Sequence, residues 1–253
     1  MIKVYTRKTV RTIFKRQRYG NEELSPHFLN RLGREFFDVP CLQLAKSLLG
    51  QILVRRENEL TLKGRIVETE AYIAGEDIAS HSHHGKITER TAPTFMDPGT
   101  IYVTRVYGMY HVFNISSQGD GACVLLRSLE PISGLEEMKK KRSFFGKGAK
   151  KQLKSYRLHE VCNGPSKLAI AFAIDTKFSG DDLVKSSELW LEPGPEKVKD
   201  EEIVECPRIG IDFAGQVWAS KPFRYYLIGN TCVSKRNKHV EEQMKAAITE
   251  DVE

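Results

Sequence analysis

Residues 101–131 read IYVTRVYGMYHVFNISSQGDGACVLLRSLEP, and the parsing of this stretch decides the fold class. Val, Ile, Tyr, Phe and Thr crowd it, while Tyr107-Gly108-Met109 and Gln118-Gly119-Asp120-Gly121 punctuate it as turns. The pattern predicts three antiparallel strands, 101–106, 110–116 and 122–129. Upstream, Pro40 opens and Gly50 stops a short helix over 40–49. Strands at 51–56 and 62–73 then form a hairpin around Glu57-Asn58. Residues 74–100, rich in Gly, Pro, Thr, His and Asp, read as a long loop. Downstream, helices are predicted over 133–142 and 165–174, short strands near 188–192, 206–212 and 223–228, and a weakly amphipathic segment from Val240. Neither a repeat nor an interdomain linker interrupts this order. The expectation is one mixed α/β (α+β) domain rich in antiparallel strands.

With 253 residues and 40% hydrophobic content, the chain can bury an ordinary core. Its formal charge of +6 suits a polyanionic partner without requiring one. Five cysteines are scattered singly, at 41, 123, 162, 206 and 232. That spacing predicts reduced thiols in an intracellular protein rather than a disulfide framework. No apolar run reaches the roughly 18 residues of a membrane span. Residues 1–20 hold seven basic residues and no acid, the composition of a nuclear signal, a mitochondrial presequence or a disordered basic arm. Lys139 to Arg157 holds nine basic residues and no acid, with Phe144, Phe145 and Tyr156 interleaved. It reads either as a phosphate-facing loop, with Lys150 and Lys151 near its centre, or as a solvated charge run.

The chemistry concentrates in RIVETEAYIAGEDIASHSHHG, residues 65–85. On a strand, Glu68, Glu70 and Tyr72 share one face, with the two carboxylates roughly 7 Å apart. A desolvated wall of this kind raises a carboxylate pKa toward that of a general base, whereas a wet face does nothing. Arg127 interrupts the apolar run Cys123–Leu126, and a partly buried arginine there wants a carboxylate such as Glu70 or Glu68. His81, His83 and His84 could ligate a metal, but no second ligand group stands at a closing spacing. Pro165-Ser166-Lys167 is either a phosphate seat or an ordinary helix start. Tyr107-Gly108-Met109-Tyr110 puts large apolar groups at a hairpin tip, where they pack under a loop or wedge into a partner such as duplex DNA.

RIVETEAY, YGMYHVFNISSQGDGACVLLRSLEP, NGPSKLAIAFAI and PRIGI together resemble the alkyladenine DNA glycosylase family, also called methylpurine or 3-methyladenine DNA glycosylase. The similarity runs from about Arg31 to about Ser234. It implies a glycosylase domain over 28–234, between a basic arm at 1–27 and a C-terminal tail or short helix at 235–253. That domain would be compact, with a curved antiparallel sheet, peripheral helices and a protruding DNA-inserting hairpin. The implied activity is monofunctional: an alkylated or deaminated purine (3-methyladenine, 7-methylguanine, hypoxanthine, ethenoadenine) is flipped from duplex DNA and its N-glycosidic bond hydrolysed. No metal or cofactor is implied, the partner is damaged double-stranded DNA, and the chain is expected to act as a monomer away from membranes. The compartment expected is the nucleus of a eukaryote, with the mitochondrion beside it, or otherwise the cytoplasm.

By position in the motifs, Glu70 corresponds to the general base, and Arg127 and the Ile209 carbonyl to groups holding the attacking water. Tyr107 corresponds to the intercalating tyrosine, with Met109 beside it. Tyr72 and His81 flank the flipped base, and Asn114 crowds the exocyclic amine of normal guanine. Ser166, Lys167, Lys150 and Lys151 are the further DNA-contact candidates. Thr104 stands where the family places a second aromatic, which predicts a thinner pocket wall and a handicap for neutral lesions that rely on stacking. Thr91-Ala92-Pro93-Thr94 departs from the usual basic and amide residues of its loop. The competing readings are a minor-groove lesion binder that does not cleave and a metal-dependent hydrolase built on the histidines.

Overall fold

The computed structural model describes residues 30–146 and 154–250, so the basic arm at 1–27, Lys150 and Lys151 lie outside the described residues. Among the described residues two short helices, α1 (Arg34–Phe37) and α2 (Cys41–Ser47), come first, with Pro40 at the N-cap of α2. Strands β1 (Ile52–Glu57) and β2 (Leu60–Tyr72) turn on Asn58, whose φ of 54° is the left-handed conformation that asparagine tolerates. The quoted stretch folds as expected into β3 (Ile101–Val106), β4 (Tyr110–Ser116) and β5 (Cys123–Ser133). Helices α3 (Leu135–Ser143), α4 (Leu158–Val161) and α5 (Pro165–Ala171) follow. The chain ends in β6 (Leu189–Glu192), β7 (Ile203–Cys206), α6 (Gly215–Ala219), β8 (Arg224–Leu227) and α7 (Lys238–Glu250).

Several boundaries differ from expectation. Strand β5 runs on to Ser133, past the expected end at 129, so the helix expected from Ser133 starts at Leu135 instead. Helix α5 stops short of Ile174 because Ala173 turns left-handed at φ 49° and the Ile174 N–H closes back on the Ala169 carbonyl at 2.8 Å. The strand expected over 206–212 lies earlier, at 203–206. Pro207 has no N–H to continue the ladder, and the PRIGI segment becomes a loop.

Among the described residues eight strands form one sheet in the order β3-β4-β5-β2-β1-β6, with β8 pairing both β2 and β7. Every pair is antiparallel, so the molecule is a mixed α+β domain with a curved antiparallel sheet. Strand β2 is long enough to take two partners along one edge, β1 against residues 60–65 and β8 against 68–70. Its other edge pairs β5, with register shifts between Ile66 and Glu68 and between Glu68 and Thr69. The first leaves Val67 as the extra residue on β2, and the second leaves Arg127 extra on β5. The two irregularities cancel, so the ladder resumes in step while Arg127 is re-aimed between two glutamates.

Helices α2 and α5 cover one sheet face, where Leu44, Val67, Leu126, Leu168 and Phe172 are buried in the main core. Each such side chain contributes about 1.5–3 kcal/mol of burial. Gly64 permits the close approach here, since a Cβ at that position would meet Phe172 Cζ at 3.1 Å and Leu129 Cβ at 3.2 Å. The opposite face of β2 to β5 is left for the polar row described next.

Candidate active site

The registers Tyr102–Asn114, Asn114–Leu125 and Leu125–Glu70 set one row of side chains straight across four strands. Partners aligned in this way point to the same face, and Thr104–Val112 forms the next rung. Loops carrying His81, Arg90 and Ile209 and the first turn of α5 at Ser166 rise around the row and enclose a cavity of about 480 Å³. Glu70 lies within it, fully buried.

Three donors converge on the Glu70 carboxylate. The Ile209 N–H donates to Oε1 at 2.8 Å, Arg127 Nη1 lies 3.1 Å from the same oxygen, and the Tyr72 hydroxyl donates to Oε2 at 2.9 Å. Burial and the neighbouring Glu70 carboxylate push the Tyr72 phenol well above its usual pKa, so it stays a donor. Each carboxylate oxygen has about two acceptor sites, which leaves Oε2 one for a further donor such as water. Ile209 thus reaches Glu70 through its N–H, a contact the motif alone does not reveal.

Glu68 does different work. Its Oε1 accepts from Arg127 Nε at 3.0 Å, Arg224 Nη1 at 3.0 Å and the Ser234 hydroxyl at 2.9 Å, and its Oε2 from the Ser128 hydroxyl at 2.9 Å and the Ser234 N–H at 2.7 Å. Burial by itself would raise its pKa. The Arg127 charge, the Ser234 donors and Arg224 outweigh that and hold the carboxyl below its ordinary range. The wet-face alternative is therefore excluded for both glutamates, which are buried and satisfied, and only Glu70 opens on the cavity.

The cavity walls are set by second partners. Arg208 lies over the Tyr72 ring, 4.7 Å from its centroid, and grips Asp77 with two bonds of 2.7 and 2.9 Å. His81 Nδ1 is 2.9 Å from the Tyr102 hydroxyl, and Arg90 Nη2 is 2.9 Å from His81 Nε2. A guanidinium only donates, so Nε2 accepts and Nδ1 carries the hydrogen shared with Tyr102. Burial first, and the Arg90 charge second, push the His81 pKa down to about 4, which keeps this ring neutral. Arg90 Nε donates to the Thr104 hydroxyl at 2.8 Å, so the space beside Thr104 holds a guanidinium. Asn114 donates Nδ2–H to the Tyr102 carbonyl at 3.0 Å from inside the cavity.

Tyr107 stands at the rim and is 92% exposed, with Met109 47% exposed beside it. Below the tip, Tyr110 stacks on Phe145 with ring centroids 5.7 Å apart. Ser166 lines the cavity, whereas Lys167 turns to Asn163 Oδ1 at 2.7 Å. Lys139, Lys140 and Lys141, at the start of the basic run, pair with Glu136, Glu137 and Glu57. Among the described residues no group of three His, Cys, Asp or Glu side chains is placed to hold a metal ion. Sequence reasoning passed over Arg90, Tyr102, Arg208, Asp77 and Arg224. An arginine inside PRIGI was the one visible hint, since a cation in an apolar stretch signals a buried partner.

A family profile described as methylpurine-DNA glycosylase matches residues 35–231. The chain is 49% identical over 219 residues to a DNA-3-methyladenine glycosylase of Homo sapiens, covering 86% of this chain and 72% of that protein. It is 50% identical over 216 residues to the Mus musculus protein of the same name, covering 85% of this chain and 64% of the mouse protein. A Clostridium perfringens (strain 13 / Type A) protein named for 3-methyladenine DNA glycosylase is 44% identical over 208 residues, covering 81% of this chain and 100% of its own length.

Proposed function

Since the chain belongs to the methylpurine-DNA glycosylase family, N-glycosyl hydrolases of DNA repair, we propose that it excises damaged purines from duplex DNA without forming a covalent intermediate. The substrates in this reading are 3-methyladenine, 7-methylguanine, hypoxanthine and ethenoadenine. The supporting observation is the buried Glu70 carboxylate at the cavity floor, held by Arg127 and the Ile209 N–H. A purine nucleotide rotated out of the stack enters the cavity between Tyr72 and His81, while Tyr107 fills the gap it leaves. Water attacks the anomeric carbon, its proton passes to Glu70, and the C1′–N9 bond breaks with its electron pair leaving on the purine. The products are a free base and an abasic sugar. A cationic base leaves as a neutral molecule, whereas hypoxanthine or ethenoadenine also needs a proton on the ring. The anionic Glu70 faces the positive charge that develops on the sugar.

In this reading the protein acts on DNA as a monomer. Met109, Ser166 and Lys167, together with Lys150 and Lys151, are proposed DNA contacts. Among the described residues no helix is long and apolar enough to cross a membrane. We assign the action to nuclear DNA, by analogy with the human and mouse relatives.

The test is single-turnover excision from a duplex carrying one hypoxanthine, with and without chelator. Wild type should cleave equally well in both, and Glu70→Gln should lose at least roughly 100-fold while still binding the DNA. Binding without cleavage by the wild type would support the lesion-binding reading instead, and loss in chelator would support a metal-dependent hydrolase.

A further inference from the structure

Thr104 opens room that another side chain takes. Arg90 reaches in from the loop, donates from Nε to the Thr104 hydroxyl at 2.8 Å and from Nη2 to His81 Nε2 at 2.9 Å. Both partners are neutral groups, so neither cancels the guanidinium charge. The side chain also divides two spaces. It lines the 480 Å³ cavity over Glu70 and a neighbouring, more open one of about 700 Å³ that Pro93, Thr176 and Ser179 also line. The acid nearest it in sequence, Glu89, lines only the outer space. Among the described residues no acid pairs with Arg90, so it presents a positive charge next to the His81 ring.

We propose that Arg90 is a specificity-determining residue, a cationic pocket wall at the Thr104 position that favours neutral purines over purines already carrying a positive charge. The proposal rests on the glycosylase reading and deepens it by naming the favoured substrate class. A guanidinium against an aromatic system attracts a neutral ring through its π-electrons and offers in-plane donors to ring nitrogens or a carbonyl. A cationic ring reverses the sign of that interaction, which solvent reaching the exposed Arg90 side chain screens in part. The thin wall expected from Thr104 alone would handicap hypoxanthine and ethenoadenine. With Arg90 seated there, the handicap moves to 7-methylguanine and 3-methyladenine.

The experiment is a competition in one tube between two duplexes of one sequence, one carrying hypoxanthine and the other 7-methylguanine, read as the ratio of single-turnover excision rates. A ratio cancels any loss of folded enzyme. Arg90→Met keeps the apolar stem and removes the charge, and should shift the ratio about tenfold toward 7-methylguanine. Arg90→Lys keeps the charge and should stay nearer the wild-type ratio. Binding to duplex with an abasic site, measured alongside, should be little changed in both variants. An equal change on both lesions, matched by the same loss on abasic DNA, would make Arg90 a backbone phosphate contact and overturn the proposal. Failure of the wild type to excise either lesion while binding abasic DNA would overturn the glycosylase reading itself, and the pocket-wall assignment with it.

Discussion

Tyr107 holds a backbone conformation that its side chain does not favour. Its φ is 49° and that of Gly108 is 71°, with the Met109 N–H closing on the Val106 carbonyl at 3.3 Å. A turn with two left-handed central residues is the natural place for Asn-Gly. A tyrosine there costs about 1–2 kcal/mol, and at 92% exposure it recovers nothing by packing within the chain. Strain of this kind survives where something outside the fold repays it. Tyr107→Asn should therefore raise unfolding free energy by about 1 kcal/mol in urea titration while weakening binding to lesion-bearing duplex. If stability rose and DNA binding were unaffected, the exposed ring would have no role at the interface. The oddity of an aromatic tip was legible in the sequence, because turn residues are normally polar. The sign of φ was not, because any of several turn types fits Tyr-Gly-Met.

At the scale of elements, the loop after β7 and the loop after β2 are fastened to each other by Arg208 and Asp77, whose paired side chains are 0% exposed. The same guanidinium backs the Tyr72 ring and bonds the Ala71 carbonyl at 3.0 Å. This pair fixes where the Ile209 N–H meets Glu70 and how Tyr72 faces the cavity. Asp77→Asn leaves a buried cation without its partner, a loss of about 3–5 kcal/mol. It should also cut affinity for lesion-bearing DNA more than for undamaged DNA, because it disturbs a cavity wall and spares the exposed tip at Tyr107. Equal losses on both DNAs would mean the pair serves stability alone. The need of Arg127 for a carboxylate could be argued from its place in an apolar strand. Its reach to both Glu68 and Glu70 could not, because that depends on two compensating bulges in strands nearly sixty residues apart.

Across the whole molecule, Glu68 is the polar centre of the sheet, joining β2, β5, β8 and the segment at Ser234 through five hydrogen bonds. Its folded pKa is held below the unfolded value of about 4.3. A depressed carboxylate contributes stability that is fully present above the unfolded pKa and is lost as pH falls through the lower folded one. Glu68→Gln should thus cost about 3 kcal/mol near pH 7. The gap to wild type should shrink from about pH 4.3 downward, as thermal or urea unfolding across pH 2–7 would record. A gap of constant size at every pH would mean that packing, and not charge, makes Glu68 necessary.

Most strand positions, the two hairpins and the helix start at Pro165 could be read along the chain, because alternation of side chains, turn residues and capping are local rules obeyed within a few residues. That Glu70, Arg127 and Asn114 belong to one region was legible through motifs that are each continuous. Residues that meet only across loops were not. His81, Arg90 and Thr104 come together because the 74–100 loop folds over the edge of β3 and β4, a packing choice that no spacing encodes. Thr104 alone suggested a missing wall, while the folded chain puts a guanidinium there. Local periodicity reports which way a side chain points. What it points at is set by the long-range burial that closes the core, and the charge of the pocket is decided at that level.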